Sequence, residues 1–458
     1  MGDKVVNFSF EDYQRGIASG KYTLPTAYCP FMRVNRKQYR KLEEEHEEKG
    51  NDIGKAFREV RRRVSRDYYR QMYPVQARAL DYSQMSFPAY RFILPEVLAN
   101  DWLAIVDWHK FHRDHVLHQP LTTYVVQKLL KELLLFGDGR CLLDACIDEI
   151  LKWDKTVYLK DFLLGIGVKE LEPWLKDGCA SRALWKSLFT EAACLAAMFH
   201  DMGYPWHYVN LLNNKLKHAG YQSDAPTSDA EKLFNAFGHR LLCCPLNGYR
   251  VIDKSAPSTW PQRQINIMAK ALGSTHGFPG AIGFLYLNDV VRDYPTDPTH
   301  PIRQFCVEWA AMAIMMHDMS AIYWGDKIST PPDNLHMRLR FEVDPLSCVI
   351  ALADMLEDFS RPVATFKDNT DQDNTNQDNT DSVDVSYHFG CKSVNLELNW
   401  GLTNPTKIVY RFKDIRQHAA KVNMIPKVHQ EYFDQHNGYI DLSAIGVRRV
   451  EMEAQLLP

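Results

Sequence analysis

SRALWKSLFTEAACLAAMFHDMGYP, residues 181–205, is the stretch whose reading decides the fold. Its apolar residues recur on a helical period up to Phe199, Ser181 stands where an N-cap belongs, and Gly203 and Pro205 are terminators. The run closes on His200 and Asp201, two polar groups that a buried helix end accepts only with partners. AMAIMMHDMS, residues 311–320, repeats the arrangement with His317 and Asp318. A His-Asp pair is uninformative by itself in a chain of this composition. Its placement at the end of an apolar helical run is what carries weight.

Outward from this stretch the pattern stays helical from about 98 to 365. TTYVVQKLLKELLLFGDG (122–139) ends at a glycine and CLLDACIDEILKW (141–153) follows, with no alternating run read between them. Loops rich in Pro, Asp, Ser and Thr break the series at 217–232 and 292–301. Residues 1–97 read as a charged helical preface. In it Phe57, Val60, Val64 and Tyr68 share a face, and Arg58, Arg61, Arg62, Arg63, Arg66 and Arg70 crowd the surface of that helix. A pentad repeats almost unchanged three times from Asp368, so 366–384 reads as a flexible polar insert, with a calcium site disfavoured by the missing Gly and terminal Glu. VDVSYHF, SVNLELNW and KIVYRF then alternate as strands, and 414–433 returns to helix with a break at Pro426, so 385–458 reads as a small α+β module.

Composition narrows the class. The chain of 458 residues, 45% hydrophobic and 24% charged, is globular with room for two or three units. Its 54 basic and 57 acidic side chains leave a net charge of −3, so no overall field draws it to nucleic acid or anionic lipid. Ten cysteines without a CxxC read as reduced. The acidic N-terminus with Val6 carries neither an export nor a myristoylation signal, and no apolar stretch reaches the roughly 18 residues of a membrane span. The expectation is a soluble cytoplasmic protein.

Adjacent helical residues point about 100° apart, so His200 and Asp201 serve one centre only if it lies off the seam between them. A carboxylate that spans two ions meets that geometry. Mixed His and Asp sites suit one or two divalent ions such as Mn, Fe, Zn, Co or Mg, and hydrolysis is their natural use. Further candidates are His118, with His115 as a weaker choice three residues before it, His276 and Asp354.

The order His118, His200-Asp201, His276, His317, Asp354, carried by RDHVLHQ, AAMFHDMGYP and DPLSCVIALADMLEDFSRP, resembles the HD-domain superfamily of metal-dependent phosphohydrolases over residues 98–365. The resemblance implies an all-helical HD bundle in that region. It places a first ion on His118, His200, Asp201 and Asp354, and leaves His276 and His317 to complete a second. His276, His317, Asp318 and Asp354 spell a competing register, less favoured because of the HQ context and the AAMFHDMGY terminus.

Two departures matter. The HHExxDGxGYP segment of the cyclic-dinucleotide phosphodiesterases is absent, and so is the Lys that many HD enzymes carry after the dyad. A leaving-group acid or phosphate clamp must then come from elsewhere, with Arg361, His207 and Asp318 as candidates. The reading is a mainly α protein that hydrolyses a nucleotide-like phosphoester, with Asp201, Asp318 and Arg361 in catalytic roles. Its partner is a phosphorylated small molecule. Nucleic acid is not favoured, although a nuclease using the Arg cluster is one rival and a metal-structured or nucleotide-sensing scaffold without turnover is the other.

Overall fold

The computed structural model describes residues 4–19, 21–22, 115–135, 140–152, 178–204, 275–290, 300–320, 338–359, 362–367, 384–389, 391–398, 405–435 and 437–458. The arginine-rich helix, the loop at 217–232, the pentad insert, Arg361 and His207 lie outside them.

Five helices build the centre: α2 (His115–Glu132), α4 (Gly178–Phe199), α5 (Gly277–Val290), α6 (His300–His317) and α7 (Pro345–Leu356). Before them come β1 (Lys4–Ser9) and α1 (Phe10–Ala18), and α3 (Leu142–Lys152) packs on the outside of α2 and α4. In α4 every residue from Leu188 to Phe199 is buried, and α7 is apolar on nearly every face. A helix apolar all round sits in the middle of a core. The alanines Ala192, Ala193, Ala196 and Ala197 let α2 and α6 close on α4, while Trp185 and Phe189 pack edge-on against Trp309. Helix α4 begins at Gly178, so Ser181 lies within its first turn and is not the N-cap. Asp344 caps α7 by accepting from the Ser347 N–H at 3.1 Å, with Pro345 at the first helical position, where its missing N–H costs nothing.

The fold is not an all-helical bundle with strands confined to a C-terminal module. A four-stranded mixed sheet runs in the order β1, β7 (Cys391–Leu398), β8 (Thr406–Phe412), β10 (Val450–Leu456), so the N-terminal segment is an edge strand of it. β1 pairs antiparallel with β7, Val6 opposite Leu396 and Phe8 opposite Val394, and these four side chains are buried. Two-residue strands also interrupt the helical region: β2 (Leu134–Leu135) pairs with β3 (Arg140–Cys141), and β4 (Leu339–Arg340) pairs in parallel with β9 (Ile440–Asp441). Segments that short have no room for a period-two pattern, which is why they read as helix. β5 (Pro362–Lys367) pairs with β6 (Asp384–Phe389) across the insert.

Helix α8 (Ile415–Phe433) continues through Pro426 rather than breaking there. The carbonyl that Pro426 leaves without a donor belongs to Val422, an exposed residue that water reaches. The helix guards the sheet. Leu457 N–H bonds to Phe412 O and Thr406 N–H to Arg449 O, so odd-numbered groups of β10 face β8 and the even-numbered carbonyls face outward. His418 Nε2 donates to Ala454 O at 3.2 Å and His429 Nε2 to Val450 O at 2.8 Å, and these bonds close an edge open to other strands.

At the other end α1 is fastened to α2. Asp12 accepts from Tyr124 at 2.6 Å and from Lys128, and Tyr22 donates to Glu132 at 2.7 Å. No helix among the described residues is long and apolar enough to cross a membrane.

Candidate metal centre

Six residues from five elements meet where α2, α4, α5, α6 and α7 converge. His118 stands in the first turn of α2, His200 and Asp201 follow α4, His276 precedes α5, His317 ends α6, and Asp354 lies in the last turn of α7. His118 Nε2 is 2.9 Å from Asp354 Oδ1, 3.0 Å from His200 Nε2 and 3.3 Å from Asp201 Oδ2. On the other side His276 Nε2 is 3.1 Å from both His317 Nε2 and Asp201 Oδ1. Asp201, fully buried, touches both halves, with Oδ1 also 3.3 Å from His200 Nε2. These side chains form groups that could hold a metal ion: His118, His200 and Asp354 in one set, His200, Asp201 and His317 in another.

The other nitrogen of each ring explains why. His118 Nδ1 is held by Glu357, His200 Nδ1 donates to Ala197 O at 2.8 Å, His317 Nδ1 to Ile314 O at 2.6 Å, and His276 Nδ1 to Asp318 at 2.8 Å. A neutral imidazole whose Nδ1 carries the proton presents a bare lone pair at Nε2. With all four rings neutral, four such lone pairs and two carboxylates face one another across about 3 Å. That is repulsive unless positive charge stands between them. Ligand bonds of about 2.1 Å give neighbouring ligand atoms a spacing of about 3.0 Å in an octahedron and about 3.4 Å in a tetrahedron. The contacts here, 2.9–3.5 Å, span that range.

Asp318 lies behind His276. Its Oδ2 accepts from the ring Nδ1 and from the backbone N–H of His276 at 2.8 Å, and from that of Gly277 at 3.3 Å. The structure thus places Asp318, read as a catalytic residue, at the back of the His276 ring, where its carboxylate holds Nδ1. The same position sets it apart from the register that pairs it with His276 as a ligand, since it approaches the nitrogen facing away from the cluster. The side chain of His115 lies outside the described ones.

Glu357 was not singled out from the sequence, yet it is buried and grips His118. Its signal was its spacing: three residues beyond Asp354, it falls on the same helical face. The sheet secures this stretch. Tyr410 of β8 donates to Met355 O at 3.1 Å, and Lys421 of α8 pairs with Asp358 at 2.6 Å while lying 3.9 Å over the Tyr410 ring. Tyr439 holds Met316 O, one residue before His317.

Gly203 and Gly277 were also missed as site residues. A Cβ on Gly203 would meet His276 O at 1.8 Å, and one on Gly277 would meet Ile314 O at 2.6 Å. Only glycine lets the turn after each dyad approach the loop carrying His276. Tyr204 then stacks on the His276 ring, centroids 4.1 Å apart.

Without metal, protons take up part of the charge deficit. Burial lowers the pKa of His118, but the Glu357 charge and the bonds to Asp354 and Glu357 outweigh it and raise it to about 9. His276 is likewise raised to about 10, burial being overridden by Asp318 and Asp201. His317 falls to about 4 through burial and the neighbouring rings. The two raised groups stabilise the metal-free fold below the unfolded pKa near 6.5 and lose that contribution as pH rises through about 9 and 10. His317, depressed, withdraws stability as pH falls from 6.5 toward 4. The melting temperature in chelator should therefore decline from pH 6.5 to 10, while metal affinity rises over the same interval because ligation needs neutral rings. Chelated protein that becomes more stable from pH 7 to 10 would contradict this account.

Comparison of the chain with protein-family models, with curated proteins and with solved structures finds no match in any of the three. The site geometry therefore has to carry the functional argument.

Proposed function

We propose that this protein is a metal-dependent phosphohydrolase, of the HD type by resemblance, that binds one or two divalent ions of the Mn, Fe, Zn, Co or Mg kind. Its substrate is a nucleotide-like phosphoester in the cytoplasm. The single observation that carries the reading is the inward set of four Nε2 atoms, each ring locked by a bond at Nδ1, around a shared buried carboxylate. Four carboxylates, Asp201, Asp318, Asp354 and Glu357, balance two divalent charges when all four rings are neutral.

Bound there, such ions supply a hydroxide near neutral pH and stabilise charge developing on a phosphoryl group. His118, His200, Asp201 and Asp354 would hold one, and Asp201, His276 and His317 the other. The chain's own contribution is geometric. Asp201 offers an oxygen to each half, while Glu357 and Asp318 keep His118 and His276 turned inward with the proton at Nδ1. The residues at the end of α4 are fully buried, and among the described residues Asp354 and His276 are the more exposed members of the set, so substrate would enter past them.

The test is elemental analysis of the purified chain, followed by release of nitrophenol from bis-nitrophenyl phosphate and assay of nucleotides and cyclic dinucleotides with manganese. Bound metal with turnover is expected. Metal retained with no turnover on any of these would replace the hydrolase reading with a metal-structured scaffold.

A further inference from the structure

One face of the four-stranded sheet is apolar and the other polar. Phe8 of β1, Val394 of β7 and Tyr410 of β8 form one cross-strand row, and Val6, Leu396 and Ile408 form the next. All six are buried, and Tyr410 reaches Met355 O on that side. Side chains alternate along a strand, so the residues between them project from the opposite face. There Ser9, Ser393 and Arg411 stand in register, with Asn7 opposite Asn395 in the adjoining row. These five residues, Glu11 and Lys392 line a groove of about 360 Å³. Small-molecule sites span about 300–1,000 Å³, so the groove has room for more than a bare ion.

Its polar floor is built into the sheet. Ser9, Ser393 and Asn395 are each more than nine-tenths buried. With its Nδ2 donating to Asn7 Oδ1 at 2.6 Å, the Asn395 amide accepts at its oxygen from Nη2 and Nη1 of Arg411 at 3.2 and 3.3 Å. One uncharged oxygen thus holds the end of the guanidinium fork, which orients Arg411 without cancelling its charge. The side-on pair, Nε–H with the adjacent Nη–H, is the edge that grips two oxygens of one anion. Lys392 reaches the same groove through a bulge. Cys391 lies opposite Phe412 and Ser393 opposite Arg411, which makes Lys392 an extra residue in β7. A regular strand would send Lys392 and Ser393 to opposite faces, whereas a bulge re-aims a side chain and lets both line one groove. Glu11, in the first turn of α1, is exposed. Two cations therefore stand against one carboxylate among the residues that line it.

We propose that this groove binds a phosphorylated small molecule, with Arg411 forked onto its phosphoryl oxygens, Lys392 as the second cation, and Asn7 and Ser393 against the remainder. The second cation suits a dianionic phosphoryl group better than a singly charged carboxylate. The site lies on the sheet and does not rest on the hydrolase reading.

The experiment is calorimetric titration of the full-length protein in chelator, where no metal contributes, with ribose 5-phosphate, inorganic phosphate and gluconate as probes. Ribose 5-phosphate should bind, and gluconate, of similar size with one charge, should bind at least about tenfold more weakly. Arg411→Gln should weaken ribose 5-phosphate by about tenfold or more, and the exposed Lys392→Gln by about three- to fivefold. Asn395→Asp hands Arg411 an internal carboxylate, so it should weaken the ligand by about tenfold without lowering the melting temperature. Glu11→Gln should tighten binding by about twofold, a gain that misfolding does not produce. If Arg411→Gln melts early, Lys392→Gln and Glu11→Gln decide the matter, since both residues are exposed. Wild type that binds neither phosphate probe overturns the proposal. So does wild-type affinity in Lys392→Gln and Asn395→Asp, or gluconate bound as tightly as ribose 5-phosphate.

Discussion

Asp201→Asn should abolish hydrolysis, with a fall on the order of 10⁴ or more, while leaving the metal-free protein folded. Asp201 is fully buried, and its two oxygens face His118 on one side and His200 and His276 on the other. Asparagine keeps the shape but replaces one oxygen with an NH₂ that cannot ligate, so a single oxygen is left for two halves. A structural carboxylate and a metal ligand behave differently under this change. Removing one partner of a buried structural ion pair costs about 3–5 kcal/mol. In the metal-free cluster four carboxylates face two raised imidazoles, so one negative charge is in excess on each half, and the asparagine relieves repulsion. The variant should therefore melt in chelator no lower than wild type, and manganese, expected to raise the melting temperature of the parent, should not raise that of the variant. Full metal stoichiometry with retained turnover would end the bridging assignment. So would a large loss of stability in chelator with metal binding intact.

Gly203→Ala should also be strongly damaging, although it adds one methyl group and removes no side chain from the cluster. The new Cβ would stand 1.8 Å from His276 O and 2.6 Å from Gly280 N, both backbone atoms that no rotamer change can move. Relief to ordinary contact demands a shift of about 1.5 Å, and metal ligands tolerate about 0.2 Å. His276 would leave Asp201 and His317, now 3.1 Å away. The expected result is loss of about half the bound metal, turnover down on the order of 10²-fold or more, and destabilisation of about 1–3 kcal/mol from overpacking. Gly283→Ala is the control. Its Cβ meets only the flexible end of Met202 at 3.1 Å, so metal content should not change. Wild-type metal content in Gly203→Ala would show that the turn and the α5 loop adjust independently.

The sheet was where the sequence reading failed, and the failure bears on function. KVVNFS alternates Val6 and Phe8 inward, yet six residues among charged neighbours carry too weak a period to claim a strand, and nothing local says that the partner lies almost four hundred residues away. Tyr410, Lys421 and Tyr439, all near that sheet, hold the stretches that carry Asp354, Glu357 and His317.

By itself the sequence announced the central helices and the His and Asp residues that gather at the candidate metal centre. A helix apolar to its last turn must be buried, and a His or Asp at its end must then find a partner, so His200, Asp201, His317 and Asp354 announce themselves from composition and period. Which nitrogen each ring presents, and which carboxylate faces in or out, was left to the tertiary structure. Asp201 and Asp318 each follow a histidine at the end of an apolar helix, in the same HDM tripeptide. Their roles part only because the loop bearing His276 inserts between them, its Nε2 toward Asp201 and its Nδ1 toward Asp318. Glu357 likewise acquires its role when α7 brings it to His118, 239 positions away. Local periodicity encodes which face is buried, whereas the identity of the partner depends on closing long loops, and the chain records that only in three dimensions.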